Sequence, residues 1–592
     1  GNAVEIVGES SNGTSITNSG EISINNNSSS TVFKLKNSNT EKTVIRNSGK
    51  IESKVNGAFS DEGKLVNDFA NVHIINETSG ILSGNVYGSN IDITNSGKFN
   101  SPIVSYQSRI GDYIQESTGT LGISVFNTNK DDITHSIIKA NNITIKDGST
   151  IDVSILSSNE AQNFLANEIL DNVLISNNLI IDVSKVNITD NSALLKFEAI
   201  KDGDNLDLRI SEAKTIFDAT NPNDKNSSDA AKILDTLKEN GNNLGGFISA
   251  LNTKTTDKEV AQAVKETTPI VSVSLANSSN QVQQTIGSVI SGRQLGIRNI
   301  SSLSSPTGGN SGDSLATSYS TWSKAFGTKT KQDDKDGFDG YKFNSYGVAL
   351  GADKEFGESK RFGLAFVYAK GDLDTNNIEQ SSDLNIYNLV AYGSTPILDN
   401  DTIFFYQSSL GIQDRKTSRK ETTTNTTALA NFNGKIASVS GRIIRNIKIN
   451  DNLLISPTFK AMYSYMNNPS YKESGADSLN LSVEKFSSEN LKVGFGTDLQ
   501  YSFKEGYTLL SNIMINYDLK QSNNTSISSY EANSNLSFAT KGMINDKLSY
   551  DVGLGVQKEY HDSINLRLEY NYEGRDSTYS NQTISAKISW NF

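Results

Sequence analysis

The strongest constraint on this chain is a period of two at its end. From Thr583 to Phe592, the residues Ile584, Ala586, Ile588, Trp590 and Phe592 alternate with Thr583, Ser585, Lys587, Ser589 and Asn591. A β-strand there carries one apolar and one polar face. Such a strand is either half-buried in a soluble sandwich or faces lipid on one side and a wet lumen on the other. The same alternation runs through Leu548–Val556, Leu491–Phe503, Ile564–Tyr570 and Phe362–Tyr368. Aromatic residues crowd one face and gather near the strand ends. That pattern suits the girdles of a transmembrane barrel and is rare in a soluble core.

The connections point the same way. Short links at Phe356–Lys360, Pro396–Asp401, Lys448–Asn452, Lys504–Tyr507 and His561–Ser563 alternate with longer polar stretches at Lys329–Phe338, Thr417–Ala428 and Gln521–Asn535. Outer-membrane barrels have short turns on the periplasmic side and longer loops outside. Counting between links predicts about twelve strands over residues 317–592, an even number that leaves the C-terminus in the periplasm. No run of 18 apolar residues exists, so any membrane span is made by strands.

The first strand, Ser320-Thr321-Trp322-Ser323-Lys324-Ala325-Phe326-Gly327, the second, Gly347-Val348-Ala349-Leu350-Gly351-Ala352-Asp353, and the terminal Phe592 resemble the translocator barrel of monomeric, type V autotransporters. The resemblance covers roughly the last 280 residues. It implies an outer-membrane location with the N-terminal part on the cell surface. It also implies that Ile588, Trp590 and Phe592 form the signal read by the outer-membrane assembly machinery. The partners implied are outer-membrane lipids, that machinery and periplasmic chaperones. No basic-then-apolar leader stands at Gly1-Asn2-Ala3, so the leader such proteins need is expected outside this chain.

Upstream the material changes. Ile16-Thr17-Asn18-Ser19-Gly20-Glu21-Ile22, Ile45-Arg46-Asn47-Ser48-Gly49-Lys50-Ile51 and Ile93-Thr94-Asn95-Ser96-Gly97-Lys98-Phe99 are near copies, and Ile75-Asn76-Glu77-Thr78-Ser79-Gly80-Ile81 is a looser one. Each reads as strand, turn, strand, with glycine expected to supply a positive φ. Their uneven spacing predicts coils of a β-solenoid (a β-helix) with variable loops. A disordered Asn/Ser-rich stalk is the alternative, and it gives no reason for Ile and Val to stay in phase with the turns. Residues 1–100 are read as solenoid. Residues 101–226, with Ile110–Ile123 and Ile143–Ser149, resemble the cap or autochaperone segment that closes such passengers.

Residues 227–316 are expected to be a helical linker. Ser227 or Ser228 can cap a helix over Asp229–Glu239 that stops at Gly241. From Ile270 to about Ile300 a second helix mixes Val271, Leu275, Val282, Ile286 and Val289 with Asn277, Ser279, Asn280, Gln281, Gln283 and Gln284. It is too polar for lipid and suited to a barrel lumen, though packing on a soluble domain would also use it. Its basic end carries Arg293 and Arg298. Alternation turns Asp353 and Asp498 into the lumen, so at least one Arg–Asp pair between helix and barrel is expected.

Catalytic chemistry has little support. Gly312-Asp313-Ser314-Leu315 matches an esterase nucleophile block in four letters only: a turn-rich Pro306–Ser311 precedes it, and Asp132-Ile133-Thr134-His135 lies upstream instead of downstream. His73, His135 and His561 have no metal-ligand spacing, and there are no cysteines. No catalytic residue, metal or cofactor is therefore expected. The net charge of −12 argues against nucleic acid as a partner. The expected fold is mostly β: a solenoid passenger, then a helical linker threading a twelve-stranded transmembrane barrel. The expected role is display of an adhesin or autoaggregation surface that meets a receptor on host or bacterial cells. The alternative is transport of a protease or esterase passenger whose catalytic part lies upstream of Gly1.

Overall fold

The computed structural model describes residues 4–7, 15–25, 31–36, 41–54, 64–66, 71–101, 108–129, 132–156, 164–295, 319–356, 360–503, 506–560 and 564–591. It falls into two units, one of residues 1–223 with 231–263 and one of 224–230 with 264–592.

In the N-terminal unit, strands Ser15–Asn18, Thr43–Asn47, Val72–Asn76, Ile91–Asn95, Ser108–Gln115 and Ile138–Ile145 pair in parallel, each with the next. A second parallel face runs from Glu21–Asn25 through Lys50–Lys54, Ile81–Ser83, Lys98–Ser101, Thr120–Asn129 and Thr150–Ile155 to Asn187–Asp190. Short strands Val4–Val7, Thr31–Lys36 and Lys64–Val66 form a third. Parallel register stacks like upon like. Ile45, Ile74, Ile93, Tyr113 and Ile143 make one interior column, and Ile51, Leu82, Phe99, Leu121 and Ile151 another, all buried. Each such side chain contributes about 1.5–3 kcal/mol on burial.

At the corner between these faces the repeated asparagines form a ladder. Asn18 Nδ2 donates to Asn47 Oδ1 at 2.8 Å, Asn47 to Asn76 at 2.8 Å, Asn76 to Asn95 at 2.7 Å and Asn95 to Gln115 Oε1 at 3.0 Å. The Tyr113 hydroxyl donates to the same Gln115 oxygen, and Gln115 Nε2 donates to the Thr150 carbonyl at 3.1 Å. Asn76 also donates to the Gly80 and Lys98 carbonyls, at 3.0 and 3.2 Å. Replacing Asn76 with Ala strands buried groups on both neighbouring coils, so Asn76→Ala should lower solenoid stability by about 2–4 kcal/mol. Urea unfolding of the passenger measures it, and a loss indistinguishable from that of a surface Asn→Ala change would refute the ladder's role.

The glycines of the turns serve a purpose other than the expected one. Gly20, Gly49, Gly80, Gly97 and Gly119 are not among the residues with positive φ. A Cβ on Gly49 would lie 2.1 Å from the Gly20 carbonyl oxygen, on Gly97 2.2 Å from that of Gly80, and on Gly119 2.3 Å from that of Asn95. Close stacking of coils demands Gly49, Gly80, Gly97 and Gly119, whereas a Cβ on Gly20 would meet nothing within 4 Å. Gly148 alone among the turn glycines of this stack has the left-handed φ, 83°. The parallel strands also run past the expected limit at residue 100, as far as Asn187–Asp190, because Ile110–Gln115 and Thr120–Ile123 keep the period after the Asn-Ser-Gly motif has drifted. The stack of strands then ends on an antiparallel hairpin, Leu195–Asp202 with Asn205–Ala213, whose second strand pairs with Ile169–Ile175.

Five helices follow: α1 (Ile216–Thr220), α2 (Ser228–Glu239), α3 (Phe247–Leu251), α4 (Asp257–Glu266) and α5 (Ile270–Leu295). Sequence periodicity anticipated only α2 and α5. The carboxylate of Asp235 accepts from Ile216 and Phe217 N–H at 2.8 and 2.9 Å, fastening the start of α1; burial raises its pKa against these bonds. α2 ends at Gly241, φ 75°, with Asn242 N–H donating to the Leu237 carbonyl at 2.9 Å. α4 opens with a capping box: Glu259 N–H donates to Thr256 Oγ1 at 3.2 Å, and Thr256 N–H to Glu259 Oε2 at 3.1 Å.

The second unit is a closed barrel of twelve strands: β1 (Tyr319–Gln332), β2 (Tyr341–Phe356), β3 (Lys360–Thr375), β4 (Gln380–Pro396), β5 (Thr402–Glu421), β6 (Thr426–Arg445), β7 (Leu453–Asn468), β8 (Phe486–Ser502), β9 (Tyr507–Gln521), β10 (Leu548–Tyr560), β11 (Ile564–Gly574) and β12 (Tyr579–Asn591). Neighbours in sequence pair antiparallel, and β1 pairs with β12 to close the ring. The outward faces expose Leu350, Phe366, Leu389, Leu410, Phe495, Ile515, Leu554 and Leu568 in a lipid-facing band, with Tyr346, Tyr368, Tyr387, Tyr517 and Tyr570 toward the longer loops and Phe356, Phe362, Phe503, Tyr507 and Tyr560 toward the short turns. Two expected loops are smaller than their polarity suggested. Thr417–Glu421 and Thr426–Ala428 are strand joined by a tight turn, and β1 runs on to Gln332. Above the lipid a strand has no need of an apolar face. The longer connections carry a small sheet of their own, Tyr471–Lys472, Leu481–Val483, Thr525–Tyr530 and Ser537–Lys541.

Candidate functional site: the occupied barrel lumen

α5 has 26 residues, about 39 Å at ~1.5 Å per residue, longer than the ~30 Å hydrocarbon layer. It is buried on every side from Ile270 to Ile290 apart from a few positions, and the barrel meets its polar residues one by one. Val271 N–H donates to Gln380 Oε1 at 3.0 Å and Gln380 Nε2 to the Thr268 carbonyl at 2.8 Å. The hydroxyls of Ser272 and Tyr471 bond. Ser279 Oγ donates to Gln413 Oε1 at 2.8 Å and accepts from Arg415 Nη2 at 3.0 Å. Asn280 Oδ1 accepts from Ser464 at 3.1 Å, Gln283 Oε1 from Ser409 at 3.1 Å and Gln284 Oε1 from Lys492 Nζ at 2.7 Å. The Tyr579 hydroxyl donates to Gln281. These partners come from β4, β5, β7, β8, β12 and the small loop sheet. Gln380 and Tyr471 lie at the end with the long loops, and Gly287 lies beside Gln407 and Met462, closer to the short turns. The helix therefore runs from the outer mouth toward the periplasm.

The mouth holds the chain just before α5 as well. Arg419 Nη1 donates to the Glu266 carbonyl at 3.0 Å, while Nε and Nη2 clasp the Glu473 carboxylate at 3.1 and 2.6 Å. Glu266 Oε2 accepts from Thr422 N–H at 2.9 Å and its hydroxyl at 2.7 Å. Thr267 and Tyr530 hydroxyls bond at 2.6 Å. Lys265 sits 3.3 Å from Asp224 and 3.0 Å from Asp339. Burial lowers its pKa, but the two carboxylates outweigh that and hold it above the usual lysine value.

The two aspartates expected in the lumen are there, with partners on the barrel wall. Asp353 is ion-paired with Arg361 and accepts from the Tyr392 hydroxyl at 2.8 Å, which in turn receives Trp322 Nε1 at 2.6 Å. Gly351 stands opposite Trp322, and a Cβ there would lie 2.5 Å from its ring. Asp498 is ion-paired with Arg442 and accepts from Thr458 Oγ1 at 2.8 Å. Arg293 lies in α5 by its backbone, with its side chain outside the description, and Arg298 lies outside the described residues, as do the Gly312–Leu315 string, His561 and Phe592. Ile588 and Trp590 stand half-exposed on the outward face of β12. His73 bonds the Thr94 hydroxyl at 2.9 Å and His135 the Ser136 carbonyl at 3.1 Å. Among the described residues no three potential ligands gather for a metal. Sequence reading missed Gln380, Gln413, Arg415, Arg419 and Lys492. Their signal was present, since Gln407, Ser409, Gln413, Arg415, Thr417 and Arg419 hold one face of β5 at every second position.

Residues 321–571 match the family model for the autotransporter beta-domain. Outer membrane protein B of Rickettsia prowazekii (strain Madrid E) is 28% identical over 189 residues, which are 30% of this chain and 11% of that protein. Outer membrane protein A of Rickettsia conorii (strain ATCC VR-613 / Malish 7) is 24% identical over 296 residues, 46% of this chain and 14% of that protein. The chain thus spans only a small part of the length of the curated relatives it matches. Among solved structures, the translocator domain of autotransporter NalP from Neisseria meningitidis aligns with TM-score 0.42 and 14% identity over 53% of this chain and 98% of that one. The transport unit of autotransporter AIDA-I from Escherichia coli aligns with TM-score 0.35 and 14% identity over 50% and 96%. Residues 321–571 are an autotransporter beta-domain, with the barrel in the outer membrane and the N-terminal unit exposed at the cell surface.

Proposed function

We propose that the solenoid is an adhesin or autoaggregation surface, carried outward by the barrel and engaging a receptor on host or bacterial cells. The observation that supports this reading is a row of outward side chains held in register across successive coils, Arg46, Ile75, Thr94, Ile114 and Thr144. A rigid repeated row offers many equivalent contacts, so weak individual contacts add through avidity. The test is display of the chain, with a secretion leader, on a bacterium that lacks it. Attachment to host cells and settling of the culture should both exceed those of cells displaying the barrel with residues 1–190 removed. Equal attachment and settling would overturn the reading.

For assembly, the proposal is that Ile588, Trp590 and Phe592 form the strand end taken up by the assembly machinery, and that the hairpin after the last coil helps the solenoid fold. Deleting Phe592 should reduce heat-modifiable barrel in the outer membrane and surface display together, leaving protein in the periplasm. Undiminished barrel after the deletion would count against the signal.

A further inference from the structure

The lipid face of the barrel changes character at β1. This strand turns its large residues, Trp322 and Phe326, into the wall and leaves Thr321, Ser323 and Ala325 outward. Short side chains therefore stand where the adjoining strands present long ones. Thr321 pairs with Trp590 on β12 and with Ala352 on β2, and Ala352 pairs with Leu364 on β3. The result is an open groove of about 550 Å³ on the lipid side, with Thr321, Ser323 and Ala352 along its floor and Trp590, Leu364 and Phe366 in its walls. A cation stands at its periplasmic end. Lys354 follows Ala352 on the same face, about 7 Å along the strand, and is paired in register with Tyr319. Its Nζ lies 4.7 Å from the centre of the Tyr319 ring and 5.2 Å from that of Phe356. Aromatic rings hold an ammonium in place without cancelling its charge. Among the described residues no carboxylate pairs with Lys354, and the adjacent Glu355 is ion-paired with Arg361. The same clamp recurs at Lys558, 3.9 Å from the Tyr507 ring and 5.6 Å from that of Tyr560. There the next outward pair is Leu509 with Val556, larger side chains in the place of Thr321 and Ala352.

An apolar groove that opens to hydrocarbon and ends on a positive group at headgroup level fits an amphiphile with an acyl chain and an anionic head. We propose that it is a binding site for an anionic glycerophospholipid of the periplasmic leaflet, with one acyl chain in the groove and the phosphate against Lys354. The occupant follows from position and charge. The groove lies in the lipid-facing band, so what fills it comes from the bilayer. A zwitterionic head brings an ammonium of its own, which Lys354 repels, whereas a head of net negative charge leaves the attraction whole. The chain supplies the contacts that Thr321, Ser323 and Ala352 are too short to make with their neighbours, and it does so beside the pair of strands that closes the barrel.

The two tryptophans of the chain provide the readout, because Trp590 borders the groove from the lipid side while Trp322 is buried in the wall. The full chain is reconstituted in phosphatidylcholine vesicles in which a minor fraction of the lipid is either phosphatidylglycerol or phosphatidylcholine with brominated acyl chains, since bromine quenches an indole at contact. Quenching should report phosphatidylglycerol enriched about fivefold over phosphatidylcholine, the preference that one lysine at a membrane surface gives. Lys354→Gln should abolish that preference. Lys558→Gln removes the same charge from the same rim and should leave it intact. Ala352→Leu fills the floor of the groove and should reduce the preference at least by half, which decides the matter if the Lys354 variant does not assemble. Equal quenching by the two brominated lipids in the wild type would overturn the site. So would a preference that survives Lys354→Gln or Ala352→Leu undiminished, or one that Lys558→Gln removes as fully as Lys354→Gln, since that would belong to the charge of the rim as a whole.

Discussion

A chain that begins just after Leu295 should form channels of several times greater conductance in planar bilayers than a chain that begins near Ser227. α5 with its side chains is about 10–12 Å across, and it is held along its length by polar residues of the barrel wall, from Gln380 to Lys492. With the helix in place, ions are left only narrow residual space such as the cavity of about 190 Å³ near its periplasmic half. Without it, the lumen wall of Gln, Ser, Asn, Arg and Lys side chains faces water. Equal conductance from the two chains would mean that α5 leaves the lumen in the membrane.

Arg419→Met should destabilise the barrel by about 3–5 kcal/mol, because it strands the Glu473 carboxylate in a site where both side chains are nearly inaccessible, 1% and 4% exposed. It also releases the Glu266 and Leu479 carbonyls that the guanidinium holds at 3.0 and 2.7 Å. The companion variant Arg419→Met with Glu473→Gln should recover much of the loss, since the buried charge goes with its partner. Thermal midpoints from heat-modifiable mobility decide between the cases. A neutral Arg419→Met would mean that water reaches Glu473 readily.

The barrel was legible because lipid imposes a rule that a sequence cannot disguise: every second residue on a spanning strand faces hydrocarbon. Leu548, Tyr550, Val552, Leu554 and Val556 obey it, and their outward exposure follows. Where the strands leave lipid, as at Thr417–Glu421, the rule lapses and strand reads as loop. The same limit hid the partners of Asp353 and Asp498. Alternation put both carboxylates in the lumen, but Arg361 reaches Asp353 diagonally across β2 and β3, where Asp353 is paired with Gly363, and that requires the register. The repeats were legible as coils, while the reason for their glycines was not, since the atom a Cβ would strike belongs to the neighbouring coil. The capping box Thr256–Glu259 was written in the sequence, and α4 went unanticipated because its apolar stripe is short.

The asparagine ladder has a direction. Every amide in it donates toward the coil that follows and accepts from the coil before, from Asn18 to the Thr150 carbonyl. Amide dipoles aligned head to tail polarise one another, so the solenoid carries along one corner a wire with distinct poles. Its tail is closed by Gln115, whose longer side chain spans to the backbone of the next coil where Ile145 has replaced the amide in register. Its head, Asn18 Oδ1, accepts from the Gly20 N–H at 3.2 Å. A coil spliced into the middle with an apolar residue at this corner would cut the wire into two shorter ones, each with a new uncompensated end, whereas the same coil added beyond Gln115 would leave it intact. Position along the stack, and not coil sequence alone, then decides what the passenger tolerates.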